Sequence, residues 1–242
     1  MTARDAQLNR TFVEMADTLV NHFDVAELLH TLATRCVELF EVDAAGLMLA
    51  DEHGTLRVVG SSNEQTRMLE LFEIQSQEGP CCDCYRGGRA VIEDDLELVD
   101  RWPRFREEAL GAGFRAAMAV PMSLRADVIG AVNLFRVEPG RLNEVDLGAC
   151  RALADVATIA LIQERALREA RLLAEQLQRA LNTRVLIEQA KGVLAGLANV
   201  DMDTAFKILR NYARGENLLL VDVARDLIGG RLSPSQLGRV GG

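Results

Sequence analysis

The chain has 242 residues, 49% of them hydrophobic, and a formal net charge of −9. That length suits two modest domains with real cores and excludes wholesale disorder. No apolar run approaches the roughly 18 residues of a membrane span, and Met1-Thr2-Ala3-Arg4-Asp5 opens no signal peptide, so a cytoplasmic protein with no membrane partner is expected.

Residues 5–41 predict two helices. The first carries Leu8, Phe12, Met15, Ala16 and Leu19. The second starts behind an N-cap at Asp24 and carries Val25, Leu28, Leu29, Leu32, Cys36 and Leu39. The period then changes. Ala44-Ala45-Gly46-Leu47-Met48-Leu49-Ala50 and Leu56-Arg57-Val58-Val59-Gly60 read as strands joined by the turn signal Asp51-Glu52-His53-Gly54. A helix follows around residues 65–74. Two further strands, 116–121 and 128–135, are linked by residues 123–127. After Pro139-Gly140 a helix begins near Asn143 and runs to Gly192 or beyond. The order gives an α+β class: an antiparallel sheet with flanking helices, a long connecting helix, and an all-α end.

This N-terminal part resembles a GAF domain over about residues 20–162. The resemblance rests on Val120-Pro121-Met122, Ile129-Gly130-Ala131-Val132-Asn133-Leu134 and Leu142-Asn143-Glu144-Val145-Asp146-Leu147. GAF domains hold many ligands and some enzymes, so the fold alone names no activity. The resemblance implies a sensor responding to a small-molecule or redox signal.

Within it, Gly79-Pro80-Cys81-Cys82-Asp83-Cys84-Tyr85-Arg86-Gly87-Gly88-Arg89 gathers three of the five cysteines. Three readings of Cys81, Cys82 and Cys84 stand side by side. A zinc site needs a second ligand pair, and Cys36, Cys150, His22, His30 and His53 are isolated. A redox sensor would use Arg86 and Arg89 to lower a thiol pKa. The third reading is small apolar filler at a helix start. Glu93-Asp94-Asp95 is an exposed acidic loop, since a phosphorylated receiver would also need a lysine and none precedes Lys191. Trp102, Phe105 and Phe114 fall near the expected GAF pocket, as ligand-lining or core residues. No metal or cofactor is expected, and no catalytic residue is singled out; H-E-x-x-H and G-x-S-x-G are both missing.

The long helix has its own period. Leu153, Ala160, Leu167, Ala174 and Leu181 repeat every seven residues. Val156, Gln163, Ala170, Leu177 and Arg184 form a second seam, and Ile159, Ala166, Leu173, Ala180 and Ile187 a third. Three adjacent seams suit a coiled coil or helical bundle, and a homodimer is inferred.

Charge divides with the domains. Residues 1–160 hold 15 Arg, no Lys and 27 acidic residues, net −12, whereas 161–242 hold 12 basic and 9 acidic residues, net +3. Such asymmetry marks a nucleic-acid-binding end, with a few phosphate contacts rather than a broad basic surface. Along that end, Leu181-Asn182-Thr183-Arg184-Val185-Leu186-Ile187-Glu188-Gln189-Ala190-Lys191-Gly192-Val193-Leu194 sets Leu186, Ile187, Ala190, Val193, Leu194 and Leu197 on one helical stripe. Arg184, Gln189 and Lys191 lie off it. Gly192 costs a helix about 1 kcal/mol relative to Ala, which suggests close approach by a backbone or ligand.

With Ala205-Phe206, Leu209-Arg210 and Val223-Ala224, this phrase resembles an ANTAR domain over roughly residues 175–232. ANTAR domains are three-helix RNA-binding modules of bacterial antitermination regulators. The resemblance implies that two modules bind a pair of short-looped RNA hairpins, using Arg184, Gln189, Lys191, Gly192 and Arg210. Lys207 and Arg214 extend the strip by helical spacing. Tyr212 is read as a base-stacking or packing residue, and Ala205, Phe206, Leu209, Leu220, Val223, Ala224 and Leu227 as core. The apolar Leu218, Leu219 and Val221 depart from the basic residues usual in relatives and read as a packing surface. The expected layout is a GAF sensor domain at 1–162, a coiled-coil connection at 163–182, an RNA-binding domain at 183–232 and a tail at 233–242. The expected function is signal-responsive antitermination, without catalysis. A thiol-dependent reductase and a protein-interaction adaptor are the rivals.

Overall fold

The computed structural model describes residues 3–17 and 24–237. Leu19 and His22, named above, and the end of the tail, 238–242, lie outside the described residues. By contact density the chain divides into two units, Met1–Arg165 and Ala166–Gly242. One helix, α6 (Glu144–Ala198), contributes to both.

The N-terminal unit is built on five antiparallel strands: β1 (Ala44–Ala50), β2 (Leu56–Ser61), β3 (Val91–Glu93), β4 (Ala116–Leu124) and β5 (Asp127–Arg136), in the order β2-β1-β5-β4-β3. Alternation assigns its two faces. Ala45, Leu47, Met118, Val120, Val132 and Leu134 face helices α1 (Ala3–Asp17), α2 (Val25–Leu39) and the start of α6, where Leu29, Leu32, Cys36, Cys150, Leu153 and Ala157 complete the larger core. Asp24 caps α2, its carboxylate accepting from the Ala26 and Glu27 amides. The opposite face carries Ala44, Met48, Ala117, Ala119, Ala131 and Phe135. It is covered by α3 (Glu64–Ser76), α4 (Pro80–Gly87) and α5 (Pro103–Gly111).

Two sequence readings are met here. Trp102, Phe105 and Phe114 are buried together, with Trp102 edge-on to Phe105 at 6.2 Å and Phe114 against Phe135 at 5.2 Å. Their rings pack as core, which was one of the two alternatives the sequence left for them. Glu93, Asp94 and Asp95 are engaged rather than loose. They pair with Arg101, Arg141 and Arg115 respectively, and Asp95 also caps the 3-10 turn Leu96–Leu98.

In the C-terminal unit α6 continues to Ala198, followed by α7 (Met202–Gly215), α8 (Leu220–Ile228) and the short α9 (Pro234–Leu237). Asp201 caps α7, and hydrogen bonds from Thr204 hold its carboxyl below the usual range. Ala190, Leu194, Ala205, Leu209, Ala213, Val223, Ala224, Leu227 and Leu237 form the core. The expected α6 stripe is narrower than read: Ala190 and Leu194 are buried, Leu186 and Ile187 half-buried, and Val193 and Leu197 exposed. Phe206, expected in the core, is half-buried. Among the described residues no helix is long and apolar enough to cross a membrane.

Candidate nucleic-acid interface and sensor interior

Lys207, Arg210 and Arg214 stand three and four residues apart on α7 and share one face. All three are exposed, as are Arg184 and Gln189 on α6. None of these four cations has an acidic partner among the described residues. Their neighbours differ: Arg225 pairs with Asp222 at 2.7 Å and Arg231 with Asp226 at 2.6 Å. Unpaired guanidinium groups on a small α-helical unit are available for phosphate, and Arg suits it bidentately.

Lys191 departs from expectation. Its side chain is only 14% exposed, its Nζ sits 2.9 Å from Glu188 Oε2, and it lies 5.6 Å from the Phe206 ring centroid. Rather than reaching freely into solvent, it is held between α6 and α7. Gly192 departs in the other direction. A Cβ added there meets no atom within 4 Å, so nothing among the described residues demands glycine at that point. Tyr212 is half-buried against the three-helix core. Leu218 and Leu219, ahead of α8, are 50% and 68% exposed.

The N-terminal interior holds a group that sequence reasoning missed. On α3 the buried positions are Thr66, Leu69, Glu70 and Glu73, so the helix turns two carboxylates inward. Asn133 on β5 points to the same face, its amide nitrogen donating to Glu70 Oε1 at 3.3 Å and Glu73 Oε2 at 3.2 Å. Glu73 Oε1 accepts from the Cys81 and Cys82 amides at 2.6 and 3.2 Å, at the opening turn of α4. Burial pushes the Glu73 carboxyl up to about 8, although these amides and Asn133 pull it down. Burial pushes Glu70 well above the carboxylate range too, with the charge of Glu73 adding to it. A polar Asn inside the apolar run Val128–Phe135 was the available sequence signal.

The same burial corrects the premise of the redox reading. All five cysteines are unpaired and buried. Burial, reinforced by the charge of Glu73, raises Cys82 and Cys84 to about 12 and Cys81 well above the usual thiol range; Arg86 opposes it at Cys82 and Arg151 at Cys84. Arg86 and Arg89 therefore do not make a low-pKa thiolate here.

The chain thus has two parts, a sheet roofed on both faces and a C-terminal helical unit with exposed cations, the layout of a two-part regulator. Comparison with known proteins agrees. A GAF-domain profile matches residues 23–162 and an ANTAR-domain profile matches residues 175–228. The chain belongs to the GAF family and carries an ANTAR domain behind its GAF domain. At the level of these families it is a signal-responsive RNA-binding regulator of antitermination. No curated protein matches it.

Among solved structures it is similar to the GAF domain of a Coxiella burnetii phosphoenolpyruvate-protein phosphotransferase, at 15% identity and TM-score 0.56, covering 69% of this chain and 99% of that one. It is likewise similar to the GAF domain of the Acinetobacter phosphoenolpyruvate-protein phosphotransferase, at 15% identity and TM-score 0.54, covering 70% and 99%. A free methionine-R-sulfoxide reductase from Neisseria meningitidis matches at 16% identity and TM-score 0.54, covering 69% and 95%. At such identities the likeness speaks to the fold alone.

Proposed function

We propose that this protein is a dimeric antiterminator whose paired ANTAR modules hold two hairpins of a leader transcript, so that a competing terminator does not form. The observation that carries RNA binding is the set of exposed, unpaired cations Lys207, Arg210 and Arg214 on one face of α7, with Arg184 on α6. Hairpin loops suit such a surface because their bases are unstacked and their phosphates accessible. Gln189 supplies an exposed amide for a base edge, and Gly192 lets the RNA backbone come close to α6. Lys191 contributes once it exchanges Glu188 for a phosphate.

Dimerisation is supported by α6. Leu167, Leu173, Leu177 and Leu181 are 47%, 56%, 57% and 58% exposed, a stripe of leucines left open among the described residues. Two such stripes bury one another in a coiled coil or bundle. A signal at the GAF domain then changes how the modules are paired, and RNA affinity follows the population of the paired state. Turnover has no place in this reading, because buried thiols with raised pKa values are poor nucleophiles.

Sedimentation velocity with Leu173→Glu/Leu177→Glu tests the pairing. A monomer that has lost preference for two-hairpin RNA over one hairpin is expected. A monomeric wild type with full two-hairpin affinity would overturn the mechanism.

A further inference from the structure

Two oxygen atoms in the N-terminal interior make no hydrogen bond among the described residues: Glu70 Oε2 and Asn133 Oδ1, both fully buried. They belong to side chains already joined to each other, since Asn133 donates to Glu70. With Glu70 ionised, both atoms ask for a donor. A buried acceptor left without one is destabilising, and more so when it is charged.

Among the described residues no ion pair is made by Glu70 or Glu73. The groups that bear most on the two carboxyls are Asn133, the Cys81 and Cys82 amides, Asp83 and the carboxyls themselves. A buried carboxylate ordinarily stands against a cation or several donors. Among the described residues the donors are the Cys81 and Cys82 amides, both given to a single oxygen of Glu73, and the Asn133 NH2, shared between Glu70 Oε1 and Glu73 Oε2.

Space at the cluster is reserved by glycine. Gly46 on β1 lies opposite Asn133 in the strand register. A methyl group at Gly46 would collide with the Glu70 carboxylate, and one at Gly79 would collide with that of Glu73. Gly79 also has φ +140, a conformation that side-chain-bearing residues rarely adopt. The backbone thus comes within touching distance of both carboxyl groups, so glycine at these two positions is what admits them to the interior.

We propose that Glu70, Glu73 and Asn133 form a binding site for a small cation of the primary-ammonium class. An –NH3⁺ group has three donors and no acceptor, so it satisfies Glu70 Oε2 and Asn133 Oδ1 and neutralises a carboxylate in one step. Its effect passes to α4, because Glu73 grips the first amides of that helix. This deepens the sensor reading of the GAF domain by naming the class of its signal, and it stands apart from RNA binding.

The chain carries its own reporter. Trp102, its one tryptophan, donates its indole N–H to Asp83 Oδ2 on α4 at 2.9 Å. Full-length protein at fixed pH and ionic strength is titrated with ammonium chloride, methylammonium chloride and, as the cation without N–H donors, tetramethylammonium chloride. Trp102 fluorescence and the thermal midpoint are read. Ammonium and methylammonium are expected to give a saturable change and a raised midpoint, and tetramethylammonium neither. Glu70→Gln should raise the half-saturating concentration about tenfold or more. Glu73→Gln, which keeps an oxygen for the Cys81 and Cys82 amides, serves should Glu70→Gln fail to fold. An equal response to tetramethylammonium, an unchanged response in a folded variant, or a signal moved by pH and not by ammonium would each overturn the site. The last would mean that protons alone fill it. Because no RNA is present, failure here leaves the antiterminator reading untouched.

Discussion

The two units treat charge in opposite ways. In the N-terminal unit arginines are mostly spent on local partners: Arg35 on Glu14 and Glu38, Arg57 on Asp51, Arg101 on Glu93, Arg115 on Asp95 and Glu97. The acid left over is inside, in the buried carboxyls of Glu70 and Glu73, where burial favours the protonated form. In the C-terminal unit the charge left over is positive and outside, on Arg184, Lys207, Arg210 and Arg214. Surface ion pairs contribute little to stability, so the contrast is not about holding the fold. It matches the proposed division between an interior that reads a small signal and a surface that meets RNA.

The sharpest way to break this contrast is to reverse the outer charge. Lys207→Glu/Arg210→Glu/Arg214→Glu should lower hairpin RNA affinity by roughly two orders of magnitude or more and flatten its salt dependence, with each single Ala change costing far less. Filter binding at several salt concentrations reads both, and circular dichroism should show the helices intact.

The inner charge should appear in stability against pH. The Glu73 carboxyl sits at about 8 when folded, above its ordinary 4.5, so the folded state holds the extra proton. Its contribution is fully present below 4.5 and is lost as pH rises to about 8. Thermal unfolding of the N-terminal unit between pH 5 and 9 should show a midpoint falling by several degrees, and Glu73→Gln should flatten that slope.

The buried thiols give a smaller and purely kinetic signature. Cys81, Cys82 and Cys84 should resist alkylation at pH 7.5 in native protein and react once it unfolds, as mass spectrometry with iodoacetamide will show. Rapid native labelling would restore the redox reading. The smallest effect belongs to Gly192→Ala. With nothing within 4 Å of the added methyl, the helix should gain up to about 1 kcal/mol while RNA binding weakens severalfold. Unchanged binding would mean that no backbone approaches Gly192.

How far the sequence showed this depends on where each signal lives. The seven-residue repeat from Leu153 to Leu181 announced the long helix, because that period is a property of one segment. Asp24 was readable as a cap for the same reason. Lys191 was not, since its partners Glu188 and Phe206 come from two helices and their packing decides its exposure. The carboxylate pair was hidden more deeply. Acidic residues on a helix read as its wet face, and in α3 Met68 is 57% exposed while Glu70 and Glu73 are buried. Only tertiary packing against Gly46 and Asn133 inverts that pattern.

The central claim is that paired modules grip paired hairpins through the free cations of α6 and α7. A salt-controlled titration of full-length protein with two-hairpin and single-hairpin RNA, with Arg210→Ala alongside, tests it most directly. Tighter binding of the two-hairpin RNA, weakened by Arg210→Ala with a shallower salt slope, is the predicted result. Equal affinity for both RNAs, or two-hairpin binding indifferent to Arg210, would contradict it.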